Sequence, residues 1–325
     1  MLRPTASGLS MTDGTREPAE GLPYGQMIIA DQTTAEPLLT PEFLRKLERL
    51  RLVSRRVFAG RVWGERRSKK RGASVEFADF RDYVHGDDLR HLDWNAFARL
   101  DRLFLKLFVE EEDLNVALLV DASNSMTFGQ PPKFDYARRV AAALGYLALC
   151  NFDRVTFWSY GERLRSVFGP TRGRGRALES LRWLEGLQAD GATSSGAALR
   201  EFALRAKQPG LVAVISDFFD EDHLDGLKAL AGRGFEVTAM HVLDEEELRP
   251  SLAGDLKLVD SETGSEREIT VTQGLLRAYQ RRLREFCDAL DACCRRFGIH
   301  SLRISTSEPF EDLILNYLRR RGMIE

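Results

Sequence analysis

Three oxygen-bearing side chains stand at alternate positions directly after an apolar run in LNVALLVDASNSM, residues 114–126. They are Asp121, Ser123 and Ser125. Alternate residues of an extended chain lie on one side, so these side chains can converge where the chain leaves a strand. The apolar run predicts a strand buried on both faces. Open α/β sheets bind ligands at the carboxyl ends of such strands, which makes this segment a candidate binding site.

Two later segments end in the same way. Asp217 follows the apolar run GLVAVISD, and Thr193 lies in the loop DGATSSG before a predicted helix. If the two apolar strands are neighbours, Asp121 and Asp217 come close together. Two carboxylates about 4 Å apart repel by roughly 4 kcal/mol at an effective dielectric constant of about 20. Either a shared proton or a cation must offset that repulsion.

The hydroxyl groups favour a cation over a shared proton. An all-oxygen ligand set suits Mg²⁺, Mn²⁺ or Ca²⁺ rather than zinc or copper. The predicted metal ligands are Asp121, Ser123, Ser125, Thr193 and Asp217. Such a set leaves a coordination position open, which an acidic residue of another molecule can fill. A purely structural alternative remains, in which the five side chains are satisfied by each other and by water, since Asp and Ser after a strand also form turns and caps.

The surrounding pattern predicts the fold that must position these residues. From residue 114 onward, apolar strands alternate with amphipathic helices, which is typical of an α/β protein with a doubly wound, mostly parallel sheet. A hairpin, GDLKLVDSETGSEREITV, interrupts the alternation, and the longest helix is predicted over residues 273–297. A last helix is predicted in PFEDLILNYLRRR.

Three regions are expected along the chain. Residues 1–36 are rich in Thr, Gly, Pro, Ser and Glu and lack periodicity, which predicts a disordered tail. Residues 37–112 predict an N-terminal helix followed by a small strand-rich unit that includes VFAGRVW. Residues 113–325 predict the α/β domain.

Composition narrows the classes of function. The 325 residues carry a formal net charge of −2, so no global field favours nucleic acid or an anionic membrane. The four cysteines form no CxxC pair, which is typical of a reducing compartment. We find no apolar run of transmembrane length and no secretory signal, and we expect a cytoplasmic protein. A membrane-associated partner is compatible with this expectation.

The spacing of DxSxS, a Gly-flanked Thr and a later ISD resembles the metal-ion-dependent adhesion site of von Willebrand factor A domains. That resemblance implies metal ligation by the five residues, with Asp217 often acting through water. The upstream segment FADFRDYVHGDDLRHLDWNAFARLDRLFLKLFVEEE resembles the bacterial "domain of unknown function 58" family. The residues that carry this second resemblance are Tyr83, Gly86, Asp87, Asp88, Arg90, Asp93, Trp94, Ala98 and Arg99. The family implies a von Willebrand A-like domain and a MoxR-type AAA+ ATPase as partner.

The acidic segment DYVHGDDLRHLDW has two interpretations of its own. It can form hydrogen-bonded ion pairs that join the small unit to the main sheet, or it can be a second contact surface for a partner. Our interpretation favours the ion pairs.

Enzyme motifs are absent from the sequence. There is no GxSxG elbow and no P-loop, and His223 in DEDHLDGL is expected on the surface at a helix start. We therefore predict a non-enzymatic, metal-dependent protein–protein interaction module with no catalytic residue. The alternative is a metal-dependent phosphoester hydrolase, which would need a general base that the sequence does not display.

Overall fold

The computed structural model describes residues 2–4, 37–48, 75–85, 87, 89, 92–110, 114–252, 254–260 and 266–317. Its centre is a six-stranded sheet, and the strands of that sheet are β4 (Asn115–Asp121), β5 (Arg154–Tyr160), β6 (Leu164–Arg172), β7 (Leu211–Ser216), β8 (Glu236–Leu243) and β11 (His300–Ser305). The strand order is β11-β8-β7-β4-β5-β6, and all neighbours are parallel except β5 and β6. This confirms the predicted mostly parallel α/β sheet.

The helices of this unit lie on both faces of the sheet. They are α3 (Lys133–Cys150), α4 (Ala177–Glu185), α5 (Ser195–Arg205), α6 (His223–Gly232), α7 (Glu245–Leu248) and α8 (Gln273–Phe297). The first of the two large core clusters includes α3 and α4, and the other includes α5, α6 and α8. The long helix thus has the predicted bounds.

The strand β4 shows why its sequence is continuously apolar. Val116, Leu118 and Val120 belong to the core on the α3 face, whereas Ala117 and Leu119 belong to the core on the opposite face. Each face is covered by helices, so neither can be polar. The chain runs from β4 to β5 on one side and later returns to β7 on the other. This switch point at the carboxyl edge is where α/β sheets bind ligands.

An N-terminal helix, α1 (Pro41–Leu47), belongs to the core of the main unit. Its Phe43 and Leu47 are fully buried there, and the Phe43 ring lies 4.9 Å from the ring of Phe310 in an edge-on contact. Tyr146 of α3 donates a hydrogen bond to Glu48 at 2.9 Å. The apolar stripe of α1 thus packs on α3, although the predicted boundary at residue 112 groups this helix with the strand-rich unit.

The small unit consists of an antiparallel pair, β2 (Val75–Asp82) and β3 (Phe104–Glu110), and the helix α2 (Trp94–Leu100). Arg81 pairs with Asp87 at 2.9 Å, and Asp93 caps α2 through the backbone of Asn95. Both of these contacts lie within the unit, and the predicted ion pairs to the main sheet stay a prediction. Gly86, Asp88, Arg90, His91 and the predicted strand VFAGRVW lie outside the described residues.

A second sheet of three strands has the order β1-β9-β10. Its members are β1 (Leu2–Pro4), β9 (Gly254–Asp260) and β10 (Glu266–Val271), and both pairings are antiparallel. The hairpin was predicted. Leu2–Pro4 lie in the segment for which we predicted a disordered tail, and an edge strand such as this one gains backbone hydrogen bonds without needing an apolar pattern. Residues 5–36 lie outside the described part of the chain.

The described chain ends in a short helix, α9 (Phe310–Asp312), followed by one π-helical turn, Leu313–Tyr317. The predicted final helix is therefore irregular here, and residues 318–321 of that prediction lie outside the described ranges. Across the residues that the structure describes, no helix combines the length and the apolar character needed to cross a bilayer.

Candidate metal centre

The loop after β4 folds its polar side chains around Asp121, the last residue of that strand. The backbone N–H of Ser123 donates to Asp121 Oδ1 at 3.0 Å, and the hydroxyl oxygens of Ser123 and Ser125 lie 3.1 Å apart. Asp121 and Ser123 are fully buried and Ser125 is 9% exposed. A short 3₁₀ turn, Asn124–Thr127, starts directly after Ser123 and bends the chain toward α3. The three residues therefore converge as predicted.

The neighbouring strand β7 brings Ser216 and Asp217 to the same place. Val120 is in register with Ile215, so Ser216 lies beside Asp121 and donates its hydroxyl to Asp121 Oδ2 at 2.6 Å. The Ser216 oxygen also accepts the N–H of Phe218 at 2.8 Å. Phe218 has φ 52°, a left-handed conformation that a bulky residue adopts only where its surroundings impose it.

Asp217 is held by a buried lysine that the sequence analysis did not consider. Lys133 Nζ lies 2.7 Å from Asp217 Oδ2 and 2.7 Å from Glu247 Oε1. The lysine side chain is 0% exposed. Sequence reasoning allowed a proton or a metal ion to offset the charge of Asp217, and the structure adds a third possibility, an ammonium group of the chain itself.

The Thr193 loop is tied to the Asp121 loop through backbone hydrogen bonds. Asn124 N donates to Gly191 O at 2.8 Å, and Asp190 N donates to Ala122 O at 2.9 Å. These bonds hold the segment just before Thr193 against the residues that flank Ser123, and Thr193 Oγ1 forms no hydrogen bond within the described part of the chain. The Thr193 loop therefore meets the loop after β4 at the same edge of the sheet.

The helix that follows Thr193 is anchored by the loop that follows Asp217. Asp220 accepts the N–H of Ser195 at 2.9 Å, and Asp222 accepts the N–H of Gly196 at 2.9 Å. Carboxylates at a helix N-terminus satisfy its free N–H groups and suit its dipole. The two hydrogen bonds thus join the end of the Thr193 loop to the loop that follows Asp217, so a shift of one loop would move the other.

Thr193 Oγ1 is a buried polar atom at this edge with no hydrogen-bond partner among the described residues. Nearby, the side chain of Ser195 lies between those of Tyr160 and Asp220 and interacts with both. Buried polar groups are nearly always satisfied, so the Thr193 hydroxyl calls for a ligand, an ion or water. Tyr160 is in register with Asp121 on the adjacent strand, which places it next to the candidate site.

The two aspartates have opposite electrostatic environments. Burial, followed by the charge of Asp217, raises the pKa of Asp121 to about 7. Burial also raises the pKa of Asp217, but the charge and hydrogen bond of Lys133 outweigh it, and the net pKa is lowered. Asp217 is therefore a stable anion, while Asp121 gains most from a cation beside it.

The residues fit a hard divalent cation on the chemistry of their donors. Two carboxylates and three hydroxyls are oxygen ligands, and Thr193 Oγ1 has no hydrogen-bond partner in the part of the chain that the structure describes. Within the described ranges, no group of three or more His, Cys, Asp or Glu side chains is arranged to hold a metal ion. The candidate therefore depends on its hydroxyls, which is the pattern expected for Mg²⁺ rather than zinc.

Sequence reasoning missed Lys133, Glu247 and Ser216. One local signal was present for the lysine. Lys133 begins α3, where the helix dipole favours acids and disfavours bases. A lysine at that position suggests a specific partner elsewhere in the fold. The local sequence gives Glu247 only the spacing of a capping box with Asp244, which does not indicate a contact with a lysine.

His223 differs from its prediction. It does start α6, but it is 6% exposed rather than on the surface. Its ring packs 5.3 Å from Phe286 and near His241, whose ring is also buried among phenylalanines. Burial lowers the pKa of both histidines, that of His241 to about 3. Both histidine rings therefore belong to a cluster of buried aromatic side chains that includes Phe286 of α8.

The chain is similar to several known proteins. The chain is 28% identical over 293 residues to the uncharacterized protein Mb1516 of Mycobacterium bovis, which covers 87% of this chain and 92% of that protein. Similar solved structures include BatB from Bacteroides thetaiotaomicron, with 16% identity, a TM-score of 0.39 and coverage of 64% of this chain and 98% of that one. Another is the SpRpn10 VWA domain, with 13% identity, a TM-score of 0.37 and coverage of 62% and 94%.

The family itself is decided by the sequence. Residues 79–286 match the family described as "Protein of unknown function DUF58", and this range includes all five candidate ligands. The predicted resemblance is confirmed, and the chain belongs to the DUF58 family.

Proposed function

We propose that this protein is a metal-dependent protein–protein interaction module. The observation that carries the proposal is the meeting of Asp121, Ser123, Ser125 and Asp217 at one sheet edge. In addition, the buried Thr193 hydroxyl has no hydrogen-bond partner among the described residues. In the proposed site, Asp121 and the three hydroxyls hold Mg²⁺ directly or nearly so, and Asp217 completes the set. Mn²⁺ and Ca²⁺ suit the same oxygen donors.

The cation supplies an attachment point for a carboxylate of the partner. Mg²⁺ takes six oxygen ligands and keeps several of them as water, so one position is exchangeable. The carboxylates of Asp121 and Asp217 at the site would repel a carboxylate of the partner. A divalent cation reverses that repulsion locally. Specificity must come from the surface around the contact, because one coordinate bond is small in area.

The proposed partner is a MoxR-type AAA+ ATPase, as the family resemblance implies, in chaperone-like or complex-assembly work. An Asp or Glu of the ATPase would occupy the open position. Hydrolysis of a phosphoester is the weaker candidate, because the histidines nearest to Asp217 are buried among phenylalanine rings.

A pull-down tests the proposal. The tagged chain is incubated with a MoxR-type ATPase from the same genome, in Mg²⁺ or in EDTA. We expect capture in Mg²⁺ only, and loss of capture by Asp121→Ala. The matched control is Asp225→Ala, which removes an exposed carboxylate of α6 and leaves the site intact. Equal capture by wild type and D121A in both buffers would contradict the metal-dependent contact.

A further inference from the structure

The strongest unassigned feature of the described chain is the buried triad of Lys133, Asp217 and Glu247. Lys133 contacts both carboxylates at 2.7 Å, and none of the three side chains is more than 8% exposed. Burying a lysine and two acids costs solvation energy that an apolar cluster would not. Such a cluster therefore points to a role other than stability.

Several contacts hold Lys133 and Glu247, the second acid of the triad, in place. Glu247 forms a capping box with Asp244, whose N–H donates to Glu247 Oε2 at 3.0 Å. Tyr279 of α8 donates to the backbone oxygen of Glu247 at 2.9 Å. The ring centroid of Phe219 lies 5.2 Å from Lys133 Nζ, within reach of a cation–π contact. The ammonium group thus has one preorganised position.

Both oxygens of Asp217 are already engaged in this arrangement. Oδ2 accepts from Lys133, and Oδ1 accepts the N–H of Phe219 at 3.3 Å. A divalent cation that approached Asp217 directly would have to compete with the ammonium group. Coordination of Asp217 through water avoids this competition, while Asp121 and the hydroxyls remain available for direct contact.

The net charge of the cluster determines how Lys133 affects the binding of a divalent cation. Asp121, Asp217 and Glu247 carry three negative charges when ionised, and Lys133 cancels one of them. We propose that Lys133 is an internal counter-cation that holds Asp217 and opposes divalent metal binding, so that the ion is retained weakly. This inference rests on the proposed function and extends that function by naming the residue that sets the affinity for the metal ion.

The consequence for the partner follows directly. A weakly held ion depends on an extra ligand to stay in place, and a carboxylate from the partner is such a ligand. Lys133 would therefore couple metal retention to partner binding. Without the lysine, the site would hold its ion whether or not the partner is bound.

The test compares Mg²⁺ affinity with and without the lysine charge in the full chain. Chelator-treated protein is titrated with MgCl₂ by calorimetry, and circular dichroism checks each fold. We expect Lys133→Met to bind Mg²⁺ about tenfold more tightly or better, because a positive charge near the ion is removed. The matched control, Lys228→Met, removes an exposed lysine of α6 and should leave the affinity unchanged.

A second pair of variants protects the test against misfolding. Lys133→Met leaves two buried acids unpaired, so Glu247→Gln is compared with the double variant Lys133→Met/Glu247→Gln. Neutral replacement of a buried ion pair is often tolerated. The double variant should again bind Mg²⁺ more tightly than E247Q. If it does not fold, Lys133 is a structural requirement and the tuning role is wrong.

The outcomes separate this inference from the proposed function. Binding by wild type together with tighter binding by the lysine variants supports both. Binding by wild type with no gain in the variants overturns the lysine inference alone. Binding by the variants with none measurable for wild type supports an opposing lysine, and the pull-down in Mg²⁺ and in EDTA then decides the metal dependence of the native chain. Absence of binding throughout overturns both.

Discussion

Ser216 donates its hydroxyl to Asp121 Oδ2 over 2.6 Å, and both side chains are fully buried. The other carboxylate oxygen of Asp121 accepts the N–H of Ser123. The Asp121 carboxylate is therefore held in one orientation by Ser216 of β7 and by the backbone just after β4, before any ligand binds. Preorganisation of this kind lowers the cost of binding, because the protein need not order the group when the ligand arrives.

Replacing Ser216 by Ala tests this orientation. The variant leaves the buried N–H of Phe218 without its acceptor and removes one donor from Asp121. We expect a loss of about 1–3 kcal/mol in the free energy of unfolding, measured by urea titration. Ser307→Ala, an exposed hydroxyl, should change stability by less than about 0.5 kcal/mol. Equal effects of the two variants would show that the Ser216 contact contributes nothing special.

Thr193→Val separates metal binding from folding. The substitution replaces a buried hydroxyl, which has no hydrogen-bond partner among the described side chains and backbone groups, by a methyl group of similar size. Unfolding free energy in EDTA should stay the same or rise, since an unsatisfied polar atom is removed. The Mg²⁺-dependent rise in melting temperature should disappear. In wild type, Mg²⁺ at 100 times Kd should add about 2.7 kcal/mol of stability.

The control for that prediction is Thr270→Val on the exposed hairpin, whose hydroxyl bonds to Asp255. It should keep the full Mg²⁺ response. A T193V variant that responds to Mg²⁺ like wild type would remove Thr193 from the ligand set.

The pair Asp220 and Asp222 predicts a pH dependence of stability. Burial, followed by hydrogen bonding with Asp222, raises the pKa of Asp220 to about 7. A raised pKa in the folded state means that the folded protein holds a proton that the unfolded chain releases. The resulting stabilisation is complete below about pH 4 and is lost as the pH rises through about 7.

Asp220→Asn places a neutral amide at the position of the protonated acid, so the side chain no longer titrates. The stability of D220N relative to wild type should therefore increase from pH 5 to pH 8, measured by urea titration in EDTA. Asp225→Asn, an exposed control on α6, should show no such increase. A difference between D220N and wild type that is constant with pH would contradict the raised pKa.

Gly196 tests the link between the Thr193 loop and the Asp217 loop. A Cβ atom added at Gly196 would lie 2.3 Å from the backbone oxygen of Asp222, so one of the two loops must move. We expect Gly196→Ala to lower the unfolding free energy by about 1–3 kcal/mol and to weaken Mg²⁺ binding. Gly232→Ala is the matched control in α6, because a Cβ atom there meets nothing within 4 Å. It should be neutral or slightly stabilising.

Phe43 tests whether α1 belongs to the main core. Its side chain is fully buried against Phe310 and α3. Phe43→Ala should cost about 3–5 kcal/mol and lower the melting temperature of the α/β unit. Leu204→Ala, at a position 77% exposed, should have little effect. A melting transition of the main unit that F43A leaves unchanged would return α1 to a separate N-terminal unit.

The local sequence determined much of the architecture and the composition of the candidate site. The apolar run before Asp121 indicated a strand covered on both faces, because a strand with one wet face alternates in polarity. The alternation of Asp121, Ser123 and Ser125 indicated convergence, because an extended chain has a two-residue period. Family membership also followed from the sequence alone, through residues spread over 79–286.

Tertiary structure decided what surrounds those residues. Lys133 meets Asp217 across 84 residues of sequence and Glu247 across 114. No local periodicity encodes such a meeting, since it depends on which helix caps which strand. The same holds for α1, whose amphipathic stripe predicted a helix but not the surface that it covers. Local patterns specify which faces must be buried, whereas the pairing of buried charges depends on the packing of distant elements.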